Sequence, residues 1–173
     1  MELSDPFNKT WFALYTRSRT EKQVHEQLRS AGFEVYLPLI RTLRQWTDRK
    51  KWVEMPLFRS YVFVHITPGE YYDVLNIPGA VRYVTFEGKA VPIPPQQIEA
   101  IKQYVSSGQD LPDVDLDILP GARVDITTGP MKGLSGELIR LMGKKKVRIE
   151  IDGLGRYIYL ELPASYIRKS RIQ

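Results

Sequence analysis

The 173-residue chain reads as an α+β protein, an α/β sandwich on an antiparallel sheet followed by a small all-β barrel. Three observations predict this. Segments with strand and helix character follow one another in the order β-α-β-β-(α)-β-α as far as residue 106. Five short strand-like segments parted by glycine turns fill residues 119–173. Between them, residues 107–118 have no period and carry four Asp and no Lys or Arg. The expected organisation is a domain over 9–106, a flexible acidic linker over 107–118 and a second domain over 119–173.

Each element has its own signal. Trp11-Phe12-Ala13-Leu14-Tyr15-Thr16-Arg17 is aromatic and strand-favouring. Thr20-Glu21-Lys22-Gln23 has the form of a capping box, after which Val24, Leu28 and Ala31 recur at helical spacing and Gly32 supplies a helix stop. Phe33-Glu34-Val35-Tyr36-Leu37 alternates as a half-buried strand and ends at Pro38. Residues 40–53 read as an extended basic hairpin with Trp46 and Trp52 among Arg41, Arg44, Arg49, Lys50 and Lys51. Ser60-Tyr61-Val62-Phe63-Val64-His65-Ile66 is apolar on nearly both faces, the pattern of a central strand. A helical turn near 71–75, a turn at Asn76-Ile77-Pro78-Gly79 and a strand over 81–86 follow. Prolines 92, 94 and 95 introduce a helix over 95–105, on which Ile98, Ile101 and Val105 share a face. The barrel strands are expected at 122–127, 136–142, 146–152, 157–161 and 165–169.

Composition narrows the function. With no cysteine, a disulfide framework and any Cys-ligated zinc or iron–sulfur site are excluded. The polar N-terminus lacks a signal-peptide core, and no apolar run reaches the roughly 18 residues that span a bilayer. A soluble, cytoplasmic protein without membrane contact is expected. The net charge of +5 is unevenly placed: +3 over residues 1–106, −4 over 107–118 and +6 over 119–173. Two basic domains permit nucleic-acid contact without requiring it. Catalytic groupings are missing. His25 and His65 have no ligand-spaced partner, no serine sits in a Gly-x-Ser-x-Gly elbow, and Asp113, Asp115 and Asp117 lack the Gly and Glu of a calcium loop. Neither an enzyme nor a metal or cofactor site is expected.

Two motifs remain. Val124-Asp125-Ile126-Thr127-Thr128-Gly129-Pro130-Met131-Lys132-Gly133-Leu134-Ser135-Gly136 runs from strand through a Gly-Pro-x-Lys-Gly loop into the next strand. Gly129 and Gly133 permit positive φ, and Gly136 permits close strand approach. This resembles the KOW pattern of SH3-like barrels; the other reading is a generic hairpin with a glycine-rich loop. Upstream, Trp11-Phe12-Ala13-Leu14-Tyr15, Tyr36-Leu37-Pro38, Pro56-Leu57-Phe58-Arg59-Ser60-Tyr61-Val62-Phe63-Val64 and Ile77-Pro78-Gly79 occur in the order of the NusG N-terminal (NGN) domain. With the KOW segment, the resemblance to the NusG family covers nearly the whole chain. Phe58-Arg59-Ser60-Tyr61 stands where housekeeping members have Phe-Pro-Gly-Tyr, which is similar to the specialised branch of RfaH and UpxY-type antiterminators.

The resemblance implies a transcription elongation and antitermination factor that binds RNA polymerase. Trp11, Leu14, Tyr15, Phe58, Tyr61, Phe63 and Pro78 fall on segments that form the family's groove for the β′ clamp helices. The alternative is that alternate residues of these strands fill the domain core. The loop Glu70-Tyr71-Tyr72-Asp73 corresponds to the segment that meets the β gate loop. Arg17, Arg19 and Lys22 lie near where the family meets the non-template DNA strand, with a solvated basic face as the alternative. Asp152-Gly153-Leu154-Gly155-Arg156 aligns with the loop that meets a small-subunit ribosomal protein or the terminator Rho, with Leu154 and Arg156 as anchors; an ordinary strand turn is the other reading. Two further functions stay open: a KOW-type RNA-binding or ribosome-associated protein, and a general NusG factor acting with Rho.

Overall fold

A computed structural model describes residues 7–108, 121–141 and 143–171. The chain divides into two compact units, Met1–Ile93 and Pro94–Gln173. The helix over 95–106, read from sequence as the end of the first domain, thus groups with the C-terminal strands. Most of the acidic linker lies outside the described residues.

The first unit is built on an antiparallel sheet. Strands β1 (Thr10–Thr16), β2 (Glu34–Tyr36), β5 (Tyr61–Ile66) and β6 (Ala80–Tyr83) lie in the order β2-β5-β1-β6, and β9 (Pro92–Ile93) also pairs with β1. Strand β5 takes an interior place between β2 and β1, as its unbroken apolar run predicts. Helices α1 (Glu21–Ser30) and α2 (Tyr71–Leu75) supply Val24, Leu28 and Val74 to a core with Leu14, Val62, Val64, Ile66 and Tyr83. Fully burying each such aliphatic side chain contributes roughly 1.5–3 kcal/mol. The strand expected over 81–86 is broken at Val84, whose N–H bonds the Ala13 carbonyl at 2.9 Å; β7 (Thr85–Phe86) then pairs with β8 (Lys89–Ala90) as a separate small hairpin. The basic ribbon is longer than predicted: β3 (Leu39–Gln45) and β4 (Lys50–Pro56) form a two-stranded sheet of their own.

The capping box expected at Thr20 does not form. With φ −108° and ψ 6°, Thr20 is not extended, and its hydroxyl donates backwards to the Arg17 carbonyl at 2.8 Å. The reciprocal geometry appears instead at Thr67, whose N–H and hydroxyl both donate to the Glu70 carboxylate, at 2.8 and 3.0 Å.

Ser60 occupies the turn before β5 with φ 66°, in the left-handed region that favours glycine. Glu21, a buried carboxylate in the first turn of α1, accepts the Ser60 N–H at 2.7 Å, and the Ser60 carbonyl accepts from Thr16 at 2.8 Å. The conformation is held by these partners against the preference of a serine. Ser60→Gly is therefore expected to raise stability by about 1 kcal/mol, read as a higher urea midpoint at unchanged slope.

The second unit combines α3 (Pro95–Ser106) with β10 (Arg123–Ile126), β11 (Ser135–Leu141), β12 (Lys144–Ile151), β13 (Arg156–Leu160) and β14 (Ile167–Lys169). The strands form one antiparallel sheet in the order β13-β12-β11-β10-β14. Val147, Ile149 and Ile151 on one face of β12 are buried with Ile158 and Leu160 of β13. In the loop between β10 and β11, Gly129 and Gly133 take φ of 83° and 96°, as the sequence requires. A Cβ at Gly136 would lie 2.6 Å from the Arg148 carbonyl oxygen, so this position admits no side chain without displacement of β12.

Candidate functional site

The face of the first sheet that bears β1 residues 11, 13 and 15 is organised in three cross-strand rows. Tyr61, Tyr15 and Arg82 form the first, Tyr36, Phe63 and Ala13 the second, and Glu34, His65, Trp11 and Ile93 the third. In the first row the Tyr15 and Tyr61 rings meet edge to face at 5.6 Å, and the Arg82 guanidinium lies 5.5 Å from the Tyr15 ring centre. Both tyrosines are half-buried and Arg82 is exposed. Such a row presents aromatic edges, two hydroxyl-bearing rings and one cation, a composition typical of the energetic centre of a protein interface.

The second row is closed. Phe63 has no accessible surface, with Phe58 packed edge to face at 6.0 Å and Tyr36 stacked at 6.3 Å. Phe58 is itself only 4% exposed. In the third row Trp11 stacks on His65 at 4.6 Å with 9° between the planes, and His65 Nδ1 lies 2.8 Å from the Glu34 carboxylate. Partial burial opposes the charge on Glu34, yet its hydrogen bond and attraction to His65, with Lys9 nearby, hold the carboxyl below its ordinary range.

The predicted polymerase-contact residues therefore separate. Tyr15 and Tyr61 stand together at the accessible end of the face, and Pro78 is exposed on the turn whose Gly79 carbonyl accepts the Arg17 N–H at 2.9 Å. Trp11, Phe58 and Phe63 are buried beneath the same face. Leu14 points the other way, into the α1 side of the sheet, where it is wholly buried among Val24, Leu28 and Val62. For Leu14 the core-filling alternative describes its position, because strand alternation sends residue 14 to the face opposite 13 and 15. Arg82 was not singled out from sequence; its placement beside Tyr15 depends on the β1–β6 register, which no local pattern supplies.

Arg17 and Arg19 are exposed on the turn between β1 and α1, Arg19 with φ 63°. Lys22 is also exposed, but its Nζ donates to the Glu54 carbonyl at 2.9 Å and ties the start of α1 to the base of the basic ribbon. The residues Tyr71 and Tyr72 rest edge to face at 5.2 Å, Tyr72 being 74% exposed, while Tyr71 stacks on Tyr83 at 4.2 Å. The Tyr83 hydroxyl donates to the Tyr71 carbonyl at 2.7 Å, and burial raises its pKa above the ordinary tyrosine range.

In the second unit Leu154 is half-exposed on the turn between β12 and β13, and Arg156, the first residue of β13, is exposed. The neighbouring Asp152 N–H donates to Gln97 Oε1 of α3 at 2.9 Å, and Gln97 is 5% exposed. Gln97 was invisible from sequence as a loop partner, since 55 residues separate the pair. Across β10 and β11, the Gly121 N–H and the Arg148 guanidinium both donate to Glu137, and Ser135 and Ser170 donate to Asp125 at 2.8 and 2.6 Å. These donors hold both carboxyls below their ordinary ranges, the Gly121 N–H acting most strongly at Glu137 and Ser170 at Asp125. Folding thus favours their ionised forms. Their contribution is complete above the ordinary carboxylate range and is lost as the pH falls through the depressed values. Glu137→Gln is expected to weaken the C-terminal unit at neutral pH and to flatten its acid sensitivity as the pH falls through and below the ordinary carboxylate range, followed by backbone NMR on the full chain.

Among the described residues, no three His, Asp or Glu side chains converge to hold a metal ion, and no helix is long and apolar enough to cross a membrane.

Comparison with known proteins gives a consistent result. The family profile described as transcription termination factor nusG matches residues 9–102. The transcription termination/antitermination protein NusG of Deinococcus radiodurans is 25% identical over 92% of this chain and 98% of its own length. That of Streptococcus pyogenes serotype M1 is 29% identical over 87% and 90%. A solved structure of Thermotoga maritima NusG, described for its domain interaction, covers 96% of this chain and is itself fully covered, at TM-score 0.51 and 22% identity; that likeness concerns the fold alone.

Proposed function

Because this chain belongs to the NusG family of transcription termination and antitermination factors, we propose that it binds RNA polymerase through its N-terminal unit and suppresses pausing or termination. One observation carries the reading: the Tyr15–Tyr61 pair with Arg82 beside it, half-exposed at one end of the sheet and backed by the closed row of Phe63 and Phe58. Two accessible rings beside a closed aromatic row suit an apolar helical partner such as the β′ clamp helices, because the rings lose little entropy on docking. Pro78 borders this end, and Tyr72 offers a separate contact for the β gate loop. Arg17 and Arg19 supply exposed cations for the displaced DNA strand.

In this reading the C-terminal sheet is a KOW barrel of SH3-like form, joined to an NGN domain by the acidic linker. Its loop with Leu154 and Arg156 recruits a small-subunit ribosomal protein or Rho. We place the chain in the specialised antiterminator branch on the Phe58-Arg59-Ser60-Tyr61 sequence. The action is binding energy spent on one polymerase conformation, without catalysis or a cofactor, in the cytoplasm. The family match over 9–102 favours this over a ribosome-associated RNA-binding protein, which has no need of a domain of that kind. The test is transcription in vitro on a template with a defined pause and a terminator. Shorter pause lifetimes and more read-through on addition of the protein support the proposal; unchanged lifetimes and termination at saturating protein overturn it.

A further inference from the structure

The C-terminal unit holds a cavity that the polymerase reading does not use. Its volume is about 410 Å³, within the range of roughly 300–1,000 Å³ common to small-molecule sites. The floor is apolar: Val124 of β10, Leu138 of β11, Val147 of β12 and Ile167 of β14, with Leu162 from the segment between β13 and β14. Register puts the four strand residues on one face of the sheet, since Leu138 pairs with Val147, Val124 with Gly136, and Ile126 with Ile167. Val124 and Val147 are buried, whereas Leu138, Leu162 and Ile167 stay half-exposed. The face that carries the core of this unit is thus only partly covered at this end, and the uncovered part is concave.

Charge identifies the ligand. Lys145, Lys146 and Lys169 belong to the lining, and no Asp or Glu does. Lys145 stands two residues before Val147 on β12, and Lys169 pairs with Val124, so strand alternation sends both to the apolar face. Neither of these two has a hydrogen-bond or ion-pair partner among the described residues. A lysine can lay its aliphatic stem along such a wall and bring its ammonium group to an anion at the mouth. The complement is one anionic group on a slim apolar body. A peptide fits less well: Val124, Leu138 and Val147 are on strands bonded on both sides, so its main-chain N–H and C=O groups would meet no free backbone partner on the floor. A flat ring fits less well too, because no Phe, Tyr or Trp lines the cavity to stack on it. An unbranched aliphatic chain needs neither.

We propose that this cavity is a binding site for a medium-chain aliphatic carboxylate, with the chain against Leu138, Val147 and Ile167 and the carboxylate at the lysine margin. No residue assigned above to polymerase, nucleic acid or the Leu154 turn lines the cavity, and the test needs no polymerase, so either assignment can fail alone. The isotope-labelled full chain is titrated with sodium decanoate below its aggregation threshold and followed by backbone amide shifts. The expected result is saturable movement of Leu138, Val147, Leu162 and Ile167, with a Kd of about 1 mM or tighter. Hexanoate is expected to bind at least about tenfold more weakly, because each methylene that enters is worth about fourfold. Decyltrimethylammonium, of equal chain length and opposite charge, is expected to bind at least about tenfold more weakly as well. Lys145→Glu with Lys169→Glu should lower decanoate affinity about tenfold or more. Ala164→Trp, which sets a large ring in the exposed part of the lining, should lower it as far. All three positions are exposed, so each variant is required to keep the wild-type amide dispersion. Wild-type affinity in either variant overturns the proposal. So does equal binding of hexanoate or of the cation, the absence of saturable shifts, or shifts confined to the first unit. Tighter binding at the same residues by a capped peptide alternating Asp with Leu overturns it too, in favour of a protein segment as the ligand.

Discussion

Replacing Tyr15 and Tyr61 together by alanine is expected to lower affinity for RNA polymerase by about 30-fold or more while leaving the protein folded. The magnitude follows from position. Each ring is half-buried in the free protein, and the two already support one another edge to face at 5.6 Å, so a partner gains two pre-ordered aromatic anchors. Their removal takes away that contact area together with both anchors. Arg82→Ala should have a smaller effect, because its charge lies at the rim of the same cluster and is screened by salt. Phenylalanine at both positions separates ring from hydroxyl: if packing dominates, most of the affinity returns. Fluorescence anisotropy with labelled protein and core polymerase reads all three.

The second large effect is on stability. Phe63→Ala is expected to cost about 3–5 kcal/mol, a substantial part of the 5–15 kcal/mol typical of a domain. Phe63 has no accessible surface and is wedged between Phe58 and Tyr36, on an interior strand bonded on both edges. Truncation leaves a cavity that neither neighbouring ring can fill without leaving its own packing. Denaturant unfolding should show the loss as a lower midpoint at nearly constant slope. A consequence is practical. A polymerase-binding defect in any Phe63 variant reports on folding first, so the interface must be mapped with Tyr15, Tyr61 and Arg82.

The contrast between Tyr61 and Phe63 shows what the sequence could and could not disclose. The stretch 60–66 announced a strand apolar on both faces, and that pattern correctly placed β5 inside the sheet. The same pattern erased the distinction between a core face and a docking face, since residues 61, 63 and 65 all belong to one side and differ only in what covers them. Leu14 had the opposite difficulty: its neighbours on both sides are on the aromatic face, and only parity assigns it to the other. Local chemistry was legible where a single residue type is required, as at Gly129, Gly133 and Gly136. It misled at Thr20, where the right residue types were present but the backbone was not extended. Ser60 keeps the left-handed turn despite lacking the glycine that would announce it, because Glu21 and Thr16 hold it from 39 and 44 positions away. Long-range partners of that kind, like Gln97 with Asp152 and Arg82 with Tyr15, leave no periodic trace.

The central claim is that the half-exposed tyrosine row is the surface by which this NusG-family chain grips polymerase. It is tested most directly by measuring binding of the full chain to core RNA polymerase, with an isolated β′ clamp-helix fragment as competitor. The account predicts saturable binding that the fragment displaces, and that Tyr15→Ala with Tyr61→Ala abolishes at the same protein concentrations. Binding that the fragment does not displace, or that survives the double substitution unchanged, would contradict it.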